Sequence, residues 1–115
     1  MRKHAISFIN AFKGIWTAIV TQSNMRIHFA IASLVLFFAV YLKLPFEQII
    51  DLVLAISLVM VAEMINTSME FMCDAITLVH NENIKWAKDV SAGAVLVAAI
   101  FAALVGLMVF LPQFI

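Results

Sequence analysis

Three long apolar stretches make up most of this chain and restrict the folds open to it. They run from about residues 27 to 42, 46 to 79 and 90 to 111, and 65% of all residues are apolar while 12% are charged. Soluble proteins carry roughly 25% charged residues, and a helix of about 20 apolar residues crosses a hydrocarbon core of about 30 Å. The sequence therefore predicts an all-α integral membrane protein, a single domain over residues 1–115, with three transmembrane helices.

The N-terminal part, residues 1–24, follows a different pattern. Its large apolar residues recur at helical spacing: Phe8, Ile9, Phe12, Ile15, Trp16 and Ile19. Polar Asn10 and Lys13 lie among them. A helix that is apolar and aromatic on one face lies in the membrane interface rather than across the membrane. We therefore expect an amphipathic surface helix before the first span.

The distribution of basic residues predicts the orientation in the membrane. Those before the first span and between the second and third are Arg2, Lys3, Lys13, Arg26, Lys85 and Lys88. The loop after the first span has Lys43 alone. Because Lys and Arg favour cytoplasmic segments, the N-terminus and the second loop are predicted to lie in the cytoplasm. Seven basic and seven acidic residues balance, so electrostatics predicts no nucleic-acid partner.

A stripe of polar residues lies on the second apolar stretch. Glu63, Asn66, Glu70 and Asp74 follow one another at spacings of three, four and four, which places them on one face of an α-helix. A carboxylate at the centre of a bilayer costs roughly 3 kcal/mol or more. Several on one face need water, a metal ion or a partner. The stripe is therefore predicted to be a functional site, and the orientation above places its later members nearer the cytoplasm.

The residue types near the cytoplasmic end of the stripe suit phosphoryl transfer. Carboxylates two turns apart can supply a general base and a ligand for Mg²⁺, and Lys88 can neutralise phosphate. The glycines, Gly14, Gly93 and Gly106, form no Gly-rich phosphate loop, so side chains and metal would have to hold a nucleotide. From spacing alone, a transport or proton-relay stripe and a polar helix–helix interface stay open as alternatives.

The stripe and the start of the third span together form a longer motif. It reads Glu63-Met-Ile-Asn66-Thr-Ser-Met-Glu70, then Asp74, then Ala87-Lys88-Asp89-Val-Ser-Ala-Gly-Ala. This resembles the signature of the prokaryotic diacylglycerol kinase and undecaprenol kinase family, E-x-x-N-[ST]-[AS]-[IM]-E-x-x-x-D followed by K-D and small residues. Two earlier blocks, Asn10-Ala-Phe-Lys-Gly-Ile15 and Asn24-Met-Arg-Ile-His28, are similar to the undecaprenol kinase branch of that family.

The resemblance implies a role for each matching residue. Glu63 matches the general base that takes the proton of a lipid hydroxyl, and Asn66 matches a residue lining that site. The positions that match nucleotide or metal contacts are Asn10, Gln22, Glu70, Asp74, Lys88 and Asp89. Among these, Glu70 and Gln22 match the metal ligands.

The family also implies a reaction and an assembly. The reaction is ATP- and Mg²⁺-dependent phosphorylation of a membrane lipid alcohol, with undecaprenol favoured and diacylglycerol next. The assembly is a homotrimer of three-span protomers in the bacterial cytoplasmic membrane. Its active sites are shared between neighbours and face the cytoplasm, and each protomer carries an N-terminal surface helix.

Two positions depart from the family pattern. Gln22 stands where the family usually has a second metal-binding Glu, and Val79 stands where a nucleotide-contacting Glu is usual. An amide oxygen can still bind Mg²⁺ but adds no charge. These departures keep two alternatives open beside a kinase: a homologue with altered activity such as lipid dephosphorylation, and a non-catalytic membrane partner. A small proton-coupled transporter is a third alternative. His28 is interpreted as an interfacial anchor rather than a ligand.

Overall fold

The computed structural model describes residues 2–115, with side chains from His4 onward, and they form a helical bundle. Its elements are α1 (Arg2–Thr21), α2 (Ser23–Tyr41), α3 (Phe46–Ile76), α4 (Glu82–Phe110) and a short 3-10 helix (Leu111–Gln113). The helices α3 and α4 pack against each other most extensively, and α2 packs against α3. Short connections join these helices, so that neighbours run antiparallel and the loop between α3 and α4 lies at the same end as the start of α2.

Three helices are long and apolar enough to cross a membrane, which confirms the coarse prediction. They comprise Ser23–Tyr41, Phe46–Ile76 and Glu82–Gln113. The remaining long helix, α1, is helical as expected, while its location at the membrane surface stays a prediction. Large apolar side chains are exposed along all of these helices. Such a surface suits lipid or further protein, because lipid tails are as apolar as the side chains themselves.

The helix ends differ from the ends of the apolar stretches. The second span stops at Ile76 rather than near residue 79, and α4 begins at Glu82, well before the apolar stretch near residue 90. The early start of α4 is explained by Asn81, whose side-chain Oδ1 accepts hydrogen bonds from the backbone N–H groups of Asn83 at 2.9 Å and Ile84 at 3.2 Å. An Asn at this position satisfies the free donors of a helix start. The polar first turns of α4 therefore belong to the helix and not to a loop.

Gln22 separates α1 from α2. Its backbone is extended, with φ −116° and ψ 113°, so the helix is interrupted there. The guanidinium Nη1 of Arg26 donates to the carbonyl oxygens of Ile19 and Val20, each at 2.8 Å. A basic side chain at a helix C-terminus satisfies carbonyls that have no partner within the helix. Arg26 therefore holds the end of α1 against the start of α2, with Gln22 at the joint.

At the opposite end, a tight turn reverses the chain between α2 and α3. Lys43 adopts a left-handed backbone conformation, with φ 56°, and the N–H of Leu44 bonds back to the carbonyl of Ala39 at 3.0 Å. This conformation is uncommon outside glycine and ends a helix. Pro45 then precedes the first turn of α3. Beside this turn lies a small apolar core of Ala39, Leu44, Leu52 and Val109.

The packing of this core predicts the effect of one substitution. Leu52 is buried at its centre, so Leu52→Ala should lower the free energy of unfolding by about 2 kcal/mol or more through lost contacts and a cavity. Leu34→Ala, at an exposed position of α2, is the matched control and should change it by less than about 0.5 kcal/mol. Unfolding in detergent micelles measures both. Equal losses in the two variants would contradict this packing.

Candidate active site

The polar stripe runs down α3 from a buried end to an exposed end. Glu63 is 2% exposed, Asn66 and Glu70 are half-buried, and Asp74 is exposed. At a rise of 1.5 Å per residue, Glu63 and Asp74 lie about 16 Å apart along the helix. One face of α3 therefore places carboxylates at very different depths, the deepest within the apolar part of the span.

The buried end of the stripe pairs Glu63 with a histidine from α2. Nε2 of His28 lies 3.2 Å from Oε1 of Glu63, and the His28 side chain is 25% exposed. The nearby Thr67 hydroxyl donates to the backbone carbonyl of Glu63 at 2.9 Å rather than to its carboxylate. A buried carboxylate is tolerated only where it has a polar partner. Within the part of the chain that the structure describes, His28 provides that partner.

The contact with His28 is one that the sequence pattern did not predict. An interfacial anchor was expected at this position, whereas the structure places the imidazole ring against Glu63. Helical spacing gives no specific signal for it. His28 lies 15 residues before Lys43 and Glu63 lies 20 residues after it, an offset of about 7 Å at 1.5 Å per residue, so only the tertiary packing brings the two side chains together.

Asn66 lies one turn along the stripe from Glu63. Its side-chain oxygen Oδ1 is buried, and no other group among residues 2–115 donates a hydrogen bond to it. Buried polar atoms in proteins are nearly always paired. An acceptor left open here, beside a buried carboxylate, is suited to a donor on a bound molecule.

The exposed end of the stripe is joined to α4 by a lysine. Nζ of Lys88 donates to Oδ1 of Asp74 at 2.8 Å and lies 3.6 Å from Oε2 of Glu70. All three side chains are about one-third to one-half exposed, so water and ions can compete for these contacts. The cluster brings one cation and two carboxylates together at the end of the bundle where α3 leads into α4.

A polar pocket of about 270 Å³ lies next to this cluster. Its lining includes Asp74 and Lys88, the loop after α3 and the first turns of α4: Thr77, Leu78, Val79, His80, Asn81, Ile84, Lys85 and Asp89. Asp89 lines the pocket but is paired with Lys85, at 2.7 Å, and not with Lys88. The sequence-predicted residues Asp74, Lys88 and Asp89 therefore meet at one pocket.

Two predicted residues stay outside these contacts. Gln22 is half-buried at the joint between α1 and α2, and Asn10 is exposed on α1. Among residues 2–115 no three His, Cys, Asp or Glu side chains gather in a way that could hold a metal ion. Any metal site in one chain would therefore rest on few protein ligands, among them the half-buried Glu70, whose Oε2 lies 3.6 Å from Nζ of Lys88.

Comparison with known proteins gives the family. Residues 9–110 match the model of the prokaryotic diacylglycerol kinase family. The chain belongs to this family. The resemblance inferred from the motifs is thereby confirmed, and with it the assignment to a family of lipid kinases.

Two curated relatives show how this diacylglycerol kinase family member compares with others. An undecaprenol kinase from Bacillus subtilis is 36% identical over 107 residues, which cover 93% of this chain and 87% of the relative. A diacylglycerol kinase from Synechocystis is 40% identical over 108 residues, which cover 93% of this chain and 62% of the relative. The two names differ in the lipid alcohol, so identity to them does not choose between acceptors.

The loop that departs from the family pattern has a defined structure. Val79 is 78% exposed, and its backbone N–H bonds to the hydroxyl of Thr77 at 3.0 Å. In this diacylglycerol kinase family member the pocket wall thus carries an apolar, methyl-bearing side chain at residue 79. The polar stripe itself is intact, from the buried Glu63 to the lysine-bound Asp74.

Proposed function

We propose that the chain transfers the γ-phosphoryl group of Mg-ATP to the hydroxyl of a membrane lipid, with undecaprenol as the favoured acceptor and diacylglycerol next. The observation that carries this proposal is the buried, histidine-paired Glu63, which shares one helix face with the lysine-bound carboxylates of the polar pocket. Family membership favours this reaction over a transporter. The names of the two relatives support a lipid alcohol as acceptor.

At the buried end, Glu63 acts as the general base. It takes the proton of the lipid hydroxyl onto a carboxylate oxygen while the hydroxyl oxygen attacks the γ-phosphorus. The bond from that phosphorus to its bridging oxygen breaks, and ADP leaves with the electron pair. Asn66 lines the same site one helical turn from Glu63, and its amide N–H can donate to the hydroxyl oxygen, because the single hydrogen of the hydroxyl goes to Glu63. Because Glu63 lies within the apolar span, it can reach the hydroxyl of a lipid that remains in the membrane.

At the exposed end, Lys88 neutralises the phosphate charge that develops during transfer. Its contacts with Asp74 and Glu70 lie at the pocket and are open to solvent, so a polyanionic ligand can draw the ammonium group away from them. Asp74 and Asp89 form the wall of the nucleotide site. Asn10, on α1, completes that site.

Glu70 together with Gln22 would hold Mg²⁺. The donor set fits, since Mg²⁺ prefers oxygen ligands and is commonly bound through one or two carboxylates while phosphates and water fill the other positions. When bound, it neutralises charge on the β- and γ-phosphates. Gln22 contributes an amide oxygen without charge, so Glu70 supplies the negative charge of this pair.

The proposed setting is a homotrimer in the bacterial cytoplasmic membrane, with the N-terminus and the polar pocket on the cytoplasmic side. The concentration of basic residues at this end of the bundle supports the orientation. The apolar side chains exposed on every span support contacts with lipid and with neighbouring copies. In this arrangement α1 lies along the membrane surface, and neighbours share each active site.

The proposal predicts lipid phosphorylation that depends on Glu63. Purified protein in mixed micelles should transfer labelled phosphate from Mg-ATP to undecaprenol with a higher kcat/KM than to diacylglycerol. Glu63→Gln should lower kcat by about 100-fold or more, because a general base contributes roughly 10²- to 10⁴-fold. Glu47→Gln makes the same change on the exposed first turn of α3 and should leave kcat unchanged.

Two outcomes would contradict the proposal. Absence of phosphorylated product with either lipid would exclude a plain kinase and favour the altered-activity or non-catalytic interpretation. Equal transfer by Glu63→Gln and the wild type would retain the kinase but remove Glu63 as its base. A higher kcat/KM with diacylglycerol than with undecaprenol would change only the proposed acceptor and not the proposed reaction.

The contacts of Lys88 with Asp74 and Glu70 lead to a second prediction. Lys88→Met keeps the length of the side chain but removes the cation that would face the phosphates, so kcat should fall about 100-fold. Lys43→Met, in the turn at the opposite end of the bundle, is the matched control and should keep the wild-type rate. Steady-state phosphorylation of the lipid measures both variants. A Lys88→Met enzyme with the wild-type kcat would show that Lys88 is a structural partner of Asp74 only.

The exposed valine in the pocket keeps the altered-activity alternative open and can be tested directly. Val79→Glu restores the acceptor that is usual in the family, so KM for ATP should fall about two- to tenfold, the range of one hydrogen bond. Leu78→Glu adds the same charge to the neighbouring residue, which is 86% exposed, and serves as the control. If both variants changed KM alike, the effect would be general electrostatics and not a specific nucleotide contact.

A further inference from the structure

His28 and Glu63 form a contact between two helices at the buried end of the site. Nε2 of His28 lies 3.2 Å from Oε1 of Glu63, and Glu63 is 2% exposed. The Thr67 hydroxyl is engaged with a backbone carbonyl, and the Asn66 side chain makes no hydrogen bond to Glu63 among the described residues. His28 is therefore the side chain that the described part of the structure pairs with the Glu63 carboxylate.

The surroundings of the pair restrict what could replace the histidine. His28 also lines a cavity of about 290 Å³ between α2, α3 and α4. The rest of its lining is apolar, with Ala32, Ala55, Ala99, Ala103 and Gly106 among the small residues. Among the described residues, no other polar side chain lines this cavity, so none of the other lining residues could take over the contact if the imidazole were removed.

A carboxylate that acts as a base also needs a fixed orientation. Rotation about the last side-chain bond of Glu is broad and nearly twofold, so an unrestrained carboxylate presents its oxygens in many directions. A donor on Oε1 fixes this rotation and leaves Oε2 for the hydroxyl proton. Hydrogen bonds of this sort are often loosely aligned without substrate and tighten in the reactive complex.

We infer that His28 is a positioning residue for the proposed base. In the reactive complex its Nε2 donates to Oε1 of Glu63 and orients the carboxylate toward the lipid hydroxyl. This inference rests on the proposed function of Glu63. The role requires a donor at that point in space and does not require the imidazole to gain or lose a proton during turnover.

Two substitutions distinguish a donor at residue 28 from a side chain that only fills space there. His28→Leu keeps a similar volume but removes the donor, so kcat should fall about 10- to 100-fold with little change in KM for ATP. His28→Gln places an amide N–H close to the position of Nε2 and should retain most of the wild-type kcat. His4→Leu, an exposed histidine on α1, is the control and should keep the wild-type rate. Lipid phosphorylation in mixed micelles measures all three.

A double variant tests whether His28 acts through Glu63. In the Glu63→Gln background the base is absent, so adding His28→Leu should lower the residual rate no further. An unchanged kcat in His28→Leu, a loss in His28→Gln as large as in His28→Leu, or a further loss in the double variant would each overturn the positioning role. Full activity in Glu63→Gln would instead overturn the proposed base, so the two failures are distinguishable.

Discussion

The burial of one carboxylate in a membrane-spanning helix is the constraint on which the rest of the structure depends. Glu63 is almost inaccessible to solvent, and an ionised group at that depth costs several kcal/mol unless it is paired. The antiparallel arrangement of α2 and α3, fixed by the turn at Lys43, brings His28 to it. The fold thereby makes a strongly polar group tolerable inside an otherwise apolar span.

Depth along α3 separates the two halves of the proposed reaction. In the proposed reaction the buried end, with Glu63 and Asn66, acts on the lipid alcohol, while the exposed end, with Asp74 and Lys88, opens to a polar pocket beside the loop. A lipid alcohol and a nucleotide differ greatly in polarity. A single helix that carries polar groups from the apolar span to the loop can engage both of them, and this suits transfer of a group from one to the other.

Much of this arrangement follows from sequence periodicity. The apolar stretches predicted three spanning helices, and the spacing of the stripe predicted one polar face on α3. The start of α4 was harder to predict, because the residues before Asp89 are polar and are typical of a loop. The structure shows that the side chain of Asn81 caps a helix there. The contact partners of individual polar side chains were not predictable from the sequence. The contact of His28 with Glu63 and the pairing of Asp89 with Lys85 depend on tertiary packing and rotamers rather than on helical spacing.

The two ends of the stripe are proposed to differ in role: Glu63 acts in the chemical step alone, whereas Lys88 contacts the phosphates and so also contributes to binding of the nucleotide. Equilibrium binding of Mg-ATP to Glu63→Gln and to Lys88→Met, without lipid, tests this difference most directly. We expect wild-type affinity for Glu63→Gln and an affinity at least about tenfold weaker for Lys88→Met, because a contact to a charged group is worth about 1.5 to 3 kcal/mol. Loss of binding in Glu63→Gln together with normal binding in Lys88→Met would contradict this division.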